Sequence, residues 1–103
     1  MKKDYTKKEM VSIIILNYNG DKFLENCLES IIRETNQSYE IIVVDNNSPD
    51  KSGEKFSKKY QKCNFILNKE NVGVSEGLNI GIRNAKGKFV VLLNNDLIVA
   101  PKW

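Results

Sequence analysis

Three short runs of isoleucine, leucine and valine, at Val11–Leu16, Glu40–Val44 and Phe89–Leu93, are separated by stretches long enough to hold a helix. Nothing else in the sequence constrains the fold as much. Nearly continuous apolar runs of this length suit strands covered on both faces, and Phe65–Leu67 is a weaker fourth. Between the first two runs, Phe23, Leu24, Cys27, Leu28, Ile31 and Ile32 recur at three- and four-residue steps, which puts them on one face of a helix. A shorter, lysine-rich helix is expected over Gly53–Tyr60, with Phe56 and Tyr60 on one side. Val74, Leu78, Ile82 and Ala85 mark a third helix, which Lys86-Gly87-Lys88 ends. Strand and helix alternate, and crossovers that hold a helix join parallel strands. The expected fold class is therefore α/β: a mainly parallel sheet of about four strands with helices on both faces.

The chain has 103 residues, enough for one compact domain, expected over 11–103 behind a flexible basic tail at 1–10. The net charge of +3 is mild, and many of the lysines fall in the tail and along Lys51–Lys62, so no nucleic-acid partner is implied. The four lysines of Met1–Lys8 read first as a solvated tail and second as a weak attraction to anionic membrane lipid. Cys27 lies in a helical stripe and Cys63 just before a strand, without the spacing of a metal, redox or disulfide site. Free thiols, buried or half-buried, are expected. The apolar runs fall far short of the ~20 residues that span a bilayer, so the expected location is cytoplasmic, with the inner face of the membrane as the alternative.

In an open parallel sheet, ligands bind beyond the carboxyl ends of the strands. The residues that follow the expected strands are Asn17-Tyr18-Asn19-Gly20, Asp45-Asn46-Asn47-Ser48, Asn68 through Asn71, and Asn94-Asn95-Asp96. Each loop alone has a plain reading as turn and cap residues. Together on one sheet edge they offer an aromatic ring, amide donors and acceptors, and two carboxylates, an inventory that suits a nucleoside diphosphate with a metal. Tyr18 is placed to stack on a base, Asp45 and Asn46 to hydrogen-bond base or ribose, and Asp96 to hold Mg²⁺ or Mn²⁺ against diphosphate oxygens.

Four blocks stand in order: VSIIILNYNG at Val11–Gly20, LESI at Leu28–Ile31, EIIVVDNNSPD at Glu40–Asp50, and NVGVSEGLNIGIRNAKGKFVVLLNND at Asn71–Asp96. With these spacings the chain resembles the nucleotide-binding N-terminal half of inverting family 2 glycosyltransferases of the GT-A fold, from Val11 to about Trp103. The resemblance implies a nucleoside-diphosphate sugar as donor, UDP- or dTDP-linked in preference to GDP-linked, and a glycan or lipid-linked glycan as acceptor, as in polysaccharide biosynthesis. It implies Asn17, Tyr18, Asn19, Asp45 and Asn46 around the nucleoside, the stretch Asn71, Gly73 and Asn79 along the diphosphate, Asn95 beside it, and Asp96 as the metal ligand. Asn46 stands where many relatives carry a second aspartate, and Asn94-Asn95 where many carry an acid before Asp96; both variants are similar to the rhamnosyltransferase-like subset.

The resemblance also implies that the acceptor half and its catalytic acid lie beyond the metal motif, so no catalytic residue is expected within this chain. Glu76, the one internal acid near the expected crevice, reads as a residue favoured by the start of a helix rather than as a base. The alternative is a binding fragment that performs no chemistry. Without an acceptor half, the run Phe89–Leu93 is left bare, and burial against a second copy, a homo-oligomer, is the expectation. A dinucleotide-binding turn is excluded because Asn17-Tyr18-Asn19-Gly20 lacks the G-x-G-x-x-G spacing, and a phosphoacceptor domain because no acidic cluster follows the first run.

Overall fold

The computed structural model describes residues 9–103. Among them the chain forms β1 (Val11–Asn17), α1 (Leu24–Glu34), β2 (Tyr39–Asp45), α2 (Ser52–Lys59), β3 (Asn64–Leu67), α3 (Gly73–Asn84) and β4 (Phe89–Asn94). Of the expected tail, residues 1–8 lie outside the described residues, while the Met10 carbonyl accepts a hydrogen bond from the Lys88 amide at 3.0 Å and so belongs to the sheet margin.

The four strands are all parallel, in the order β3-β2-β1-β4. Register sets the level of their carboxyl ends: Asn17 lies opposite Asp45, Asp45 opposite Leu67, and Leu16 opposite Asn94. All four strand-end loops therefore rise from one edge, and the order reverses direction at β1, the kind of switch point where such sheets bind ligands.

Alternation along the strands divides the core into two layers. Ile13, Ile15, Ile41 and Val43 face α1 and α2, meeting Leu24, Cys27, Leu28, Ile31 and Phe56. Ile14, Ile42 and Val44 face the other way, toward Leu78 and Ile80 of α3 and Ala85 just beyond its end. Each fully buried Leu or Ile contributes roughly 1.5–3 kcal/mol of transfer free energy, which holds the short helices on the sheet. At the lower edge a carboxylate ties the last crossover down: Ser12 Oγ donates to Glu40 at 2.5 Å and the Lys86 amide to the same oxygen at 2.6 Å. Burial pushes both thiols up to about 11, Cys27 with a smaller contribution from the charge of Asp96, and both are free as expected.

Three expectations need correction. Phe23 and Ile32 are 50% and 44% exposed, outside the buried stripe of α1, because a helix resting on a flat sheet covers a narrower arc than the run of apolar residues fills. Val74 and Ile82 are exposed as well, because α3 turns its glycines to the sheet. A Cβ on Gly77 would lie 2.6 Å from Leu16 Cδ1, and one on Gly81 2.5 Å from Ile14 Cγ2, so the helix approaches more closely than a side chain permits. Finally, β4 is not covered on both faces among the described residues: Phe89, Val90 and Leu92 are exposed. The cause is topological, since α3 crosses from β3 to β4 over β2 and β1 and packs on those two strands. This strip is the surface on which the expected self-association would act.

Helix propensity and packing oppose each other at Gly81. Propensity alone makes Gly81→Ala stabilising by about 0.5–1 kcal/mol, whereas overpacking against the fully buried Ile14 costs about 1–3 kcal/mol. Net destabilisation is expected in urea unfolding, and a more stable variant would contradict the close approach.

Candidate functional site

The edge where the strands end is held together by one buried polar network. Asn17, at the end of β1, is 0% exposed. Its amide nitrogen donates to Asp45 Oδ1 at 2.8 Å and to Ser52 Oγ at 2.9 Å, and its carbonyl oxygen accepts from Asn95 Nδ2 at 2.9 Å. Asp45, at the end of β2, also receives Ser48 Oγ on Oδ1 at 2.6 Å and the Ser48 amide on Oδ2 at 3.1 Å. Two serine oxygens then reach back across the sheet: Ser48 Oγ accepts from the Asn19 amide at 3.0 Å and Ser52 Oγ from the Gly20 amide at 3.2 Å. No buried side-chain nitrogen or oxygen among the described residues lacks a partner, so the network is closed on itself as low-dielectric burial requires.

Glycines make room for these groups. A Cβ on Gly20 would run into the Asn17 carbonyl, and one on Gly53 into the carboxyl of Asp45. Asn19 and Asn47 adopt left-handed backbone angles, φ 54° and 57°, a conformation asparagine tolerates. Above the network, Asp50 joins the first two loops by accepting from the amides of Asp21 and Ser52, while its own amide donates to the Asn19 side chain. Burial alone raises the Asp50 carboxyl, but hydrogen bonds from Ser52 and Asp21 and the charge of Lys55 outweigh it and hold the group below its ordinary value.

A second lock lies between β2 and α3. Asn46 is 3% exposed; its carbonyl oxygen accepts from Asn68 Nδ2 at 3.0 Å and the Val72 amide at 3.3 Å, and its nitrogen donates to the Gly73 carbonyl at 3.0 Å. Asn71 caps the same turn, accepting from the Gly73 amide at 2.9 Å, and Gly73 takes φ 87°. An aspartate at 46 has no N–H for the Gly73 carbonyl, which accounts for asparagine there.

The residues named from the sequence thus separate into two groups. Asn17, Asp45 and Asn46 are buried and spend their hydrogen bonds within the chain; their geometry is that of groups that hold loops in place. Tyr18, Asn19, Asn71, Gly73 and Asp96 are exposed at the rim, Tyr18 by 46%, and Asn95 is half-buried between them. Asn79 is not brought to this group: it sits on the exposed side of α3, about 9 Å of helix rise beyond Gly73. Glu76 pairs with Arg83 at 2.9 Å, in keeping with a surface role.

A cavity of about 150 Å³ opens beside the network, lined by Asp45, Asn47, Ser48, Lys51, Glu54, Leu67 and Asn68. A larger one, about 350 Å³, lies by the opposite sheet edge among Val11, Gln37 and Trp103, away from these loops. Sequence reasoning missed Ser48, Ser52 and Asp50. The visible signal was the run Asn47-Ser48-Pro49-Asp50 before a helix, which reads as a turn and not as a hub.

No cluster of three acidic, histidine or cysteine side chains occurs among the described residues. The exposed Asp96 is a single carboxylate at the rim. One carboxylate fits Mg²⁺ or Mn²⁺ only in the manner in which those hard ions bind with phosphates and water supplying the other oxygens.

Comparison with known proteins bears on the family and the fold. Residues 12–103 match the family described as Glycosyl transferase family 2. The chain is 37% identical over 94 residues to glycosyltransferase GlyG of Streptococcus pneumoniae serotype 4, covering 88% of this chain and 31% of that protein. It is 36% identical over 90 residues to the uncharacterised glycosyltransferase EpsJ of Bacillus subtilis, covering 84% and 26%. The chain thus spans about a third or less of the length of these relatives. Residues 1–349 of TarS from S. aureus, in complex with UDP, superpose with a TM-score of 0.76 at 25% identity over 84% of this chain and 27% of that one. The mannosyltransferase PcManGT from Pyrobaculum calidifontis, in complex with GDP-Man and Mn²⁺, shares the fold with a TM-score of 0.78 at 23% identity, covering 92% and 30%.

Ser52 Oγ is the acceptor that both Asn17 and the Gly20 amide rely on. Ser52→Ala leaves two buried donors with one partner fewer, and each such loss costs about 1–3 kcal/mol. Chemical unfolding should show a loss in that range or above, and a loss under about 0.5 kcal/mol would show that the hydroxyl does not hold the edge.

Proposed function

This chain belongs to glycosyl transferase family 2, and from that premise we propose that its protein transfers a sugar, with inversion, from a nucleoside-diphosphate donor to a glycan or lipid-linked glycan in polysaccharide biosynthesis. The observation that carries the reading is the level set of strand-end loops, cross-locked through Asn17, Asp45 and Asn46, with Tyr18 and Asp96 left exposed at the rim. The relatives and solved structures named above favour transfer over a fragment that binds without chemistry.

In this reading Tyr18 offers its ring to the base, and the left-handed turns at Asn19 and Asn47 bring backbone close to the nucleoside. The cavity between β2 and β3 receives the base, with Leu67 as its apolar wall and Asn68, Lys51 and Glu54 as its polar ones. Asn71 and Gly73, at the start of α3, face the diphosphate, where the helix N-terminus favours negative charge. Asp96 would hold Mg²⁺ or Mn²⁺, which when bound neutralises charge on the departing diphosphate. Asp45 and Asn46 serve by holding these loops in register. UDP- or dTDP-sugars are the preferred donors, and the asparagines at 46, 94 and 95 support the rhamnosyltransferase-like subset. The base that takes the acceptor proton is not assigned to a residue of this chain. Among the described residues no helix is long and apolar enough to cross a membrane. The proposed setting is the cytoplasm, with the inner face of the membrane as the alternative.

Calorimetry with UDP should show binding that requires Mn²⁺ or Mg²⁺. Tyr18→Ala should weaken it by about 1–3 kcal/mol, the range for one base–aromatic stack, and Asp96→Ala should abolish the metal dependence. Metal-independent binding, or binding unchanged in both variants, would contradict the reading.

A further inference from the structure

The hydrogen bonds around Asn17 have a direction, and the direction is imposed from one end. Asp45 accepts on both carboxylate oxygens, from Asn17 Nδ2, Ser48 Oγ and the Ser48 amide. A carboxylate offers no donor. If the Asn17 amide were turned over, its carbonyl oxygen would face Asp45 Oδ1 at 2.8 Å, two acceptors in contact at a site with no solvent exposure. Ser52 does not decide the matter, because a hydroxyl turns to suit either orientation. Asn17 therefore points its nitrogen toward Asp45 and its oxygen toward β4. That oxygen takes its hydrogen bond from Asn95 Nδ2 at 2.9 Å, so position 95 has to be a donor.

We propose that Asn95 is a positioning residue for Asp96, its amide held by a polarity relay that runs from the Asp45 carboxylate through Asn17. The loop after β4 is thereby latched to the end of β1, and the backbone that carries Asp96 is fixed with it. What Asp96 does rests on the donor-site reading above, whereas the relay rests on the hydrogen bonds alone.

Charge and relay predict opposite outcomes for an acid at 95. A second carboxylate beside Asp96 should strengthen cation binding if charge were all that mattered. By the relay, Asn95→Asp sets a carboxylate against the Asn17 oxygen, releases the loop and weakens binding. Moving the acid restores the relay in reverse: in the double variant Asp45→Asn with Asn95→Asp, the amide introduced at 45 donates to a turned-over Asn17, whose nitrogen then donates to the carboxylate introduced at 95. Net charge is unchanged.

The experiment is a double-variant cycle on the protein, read by thermal unfolding and by electron paramagnetic resonance of Mn²⁺ titrated in the presence of UDP. Each single variant should lower the unfolding midpoint by at least about 5 °C, and the double variant should regain more than half of the summed loss. Asn95→Asp should bind Mn²⁺ with UDP roughly tenfold more weakly than the parent, as loss of one buried hydrogen bond implies, and the double variant should recover it. An unshifted midpoint for Asn95→Asp, or a double variant no more stable than the weaker single, would overturn the relay. Should both singles fail to fold, a folded double variant by circular dichroism supports the relay and an unfolded one overturns it. If the parent binds neither UDP nor Mn²⁺, the donor-site reading fails while the stability cycle still decides the relay.

Discussion

The hydrogen bond from Asn17 to Asp45 is the contact on which the loop edge depends. It joins the last residues of adjacent parallel strands, which the sheet register already places opposite each other. Both groups are buried, Asn17 completely and Asp45 to within 5%. A buried carboxylate is tolerable only when hydrogen bonds satisfy it, so Ser48 must fold back over Asp45, and that fold sets the turn through Asn47 and the start of α2. From the other side of the amide, Asn95 is drawn in and Asp96 takes its place. Loops that are usually the most mobile part of an α/β domain are here tied to the stiffest part of the sheet.

The same economy governs the asparagines at 46 and 95. Asn46 both accepts and donates, bridging Asn68, Val72 and Gly73. Asn95 donates to the Asn17 side-chain oxygen, the one acceptor that the Asp45 carboxylate leaves facing β4. Both asparagines spend their amides on bracing the loops, and Asp96 is left as the exposed carboxylate beside them. A single exposed carboxylate then suits a cation that arrives with the diphosphate.

Much of the architecture was legible from the chain because hydrophobic period and crossover length leave few solutions. The strands, helices and common edge follow from Val11–Leu16, Glu40–Val44 and the helical stripe through Leu24, Cys27, Leu28 and Ile31. Which helix face is buried was less legible. At α3 the deciding residues are Gly77 and Gly81, whose contribution is the absence of a side chain, while Val74 and Ile82 draw the eye and stay outside. At the site, the sequence marks residue types but not the direction in which they point. Asn17 and Asn46 read from the sequence as ligand contacts, while in the structure their hydrogen bonds run within the chain, and Ser48 and Ser52 look like turn and cap yet hold the edge together. Hydrogen-bond polarity is a property of neighbours in space, and no spacing along the chain encodes it.

The central claim is that the four strand-end loops form one donor site with the cation at Asp96. Paramagnetic broadening of backbone amide resonances by Mn²⁺, added at substoichiometric levels with UDP, tests it directly. The account predicts that Asn94 to Leu97 broaden first, followed by Tyr18 to Gly20 and Asn71 to Gly73, with Ser38 and Gly87 at the far edge sharp throughout. Broadening centred on the far edge, or on Glu54 of α2 with the Asp96 loop unaffected, would contradict it.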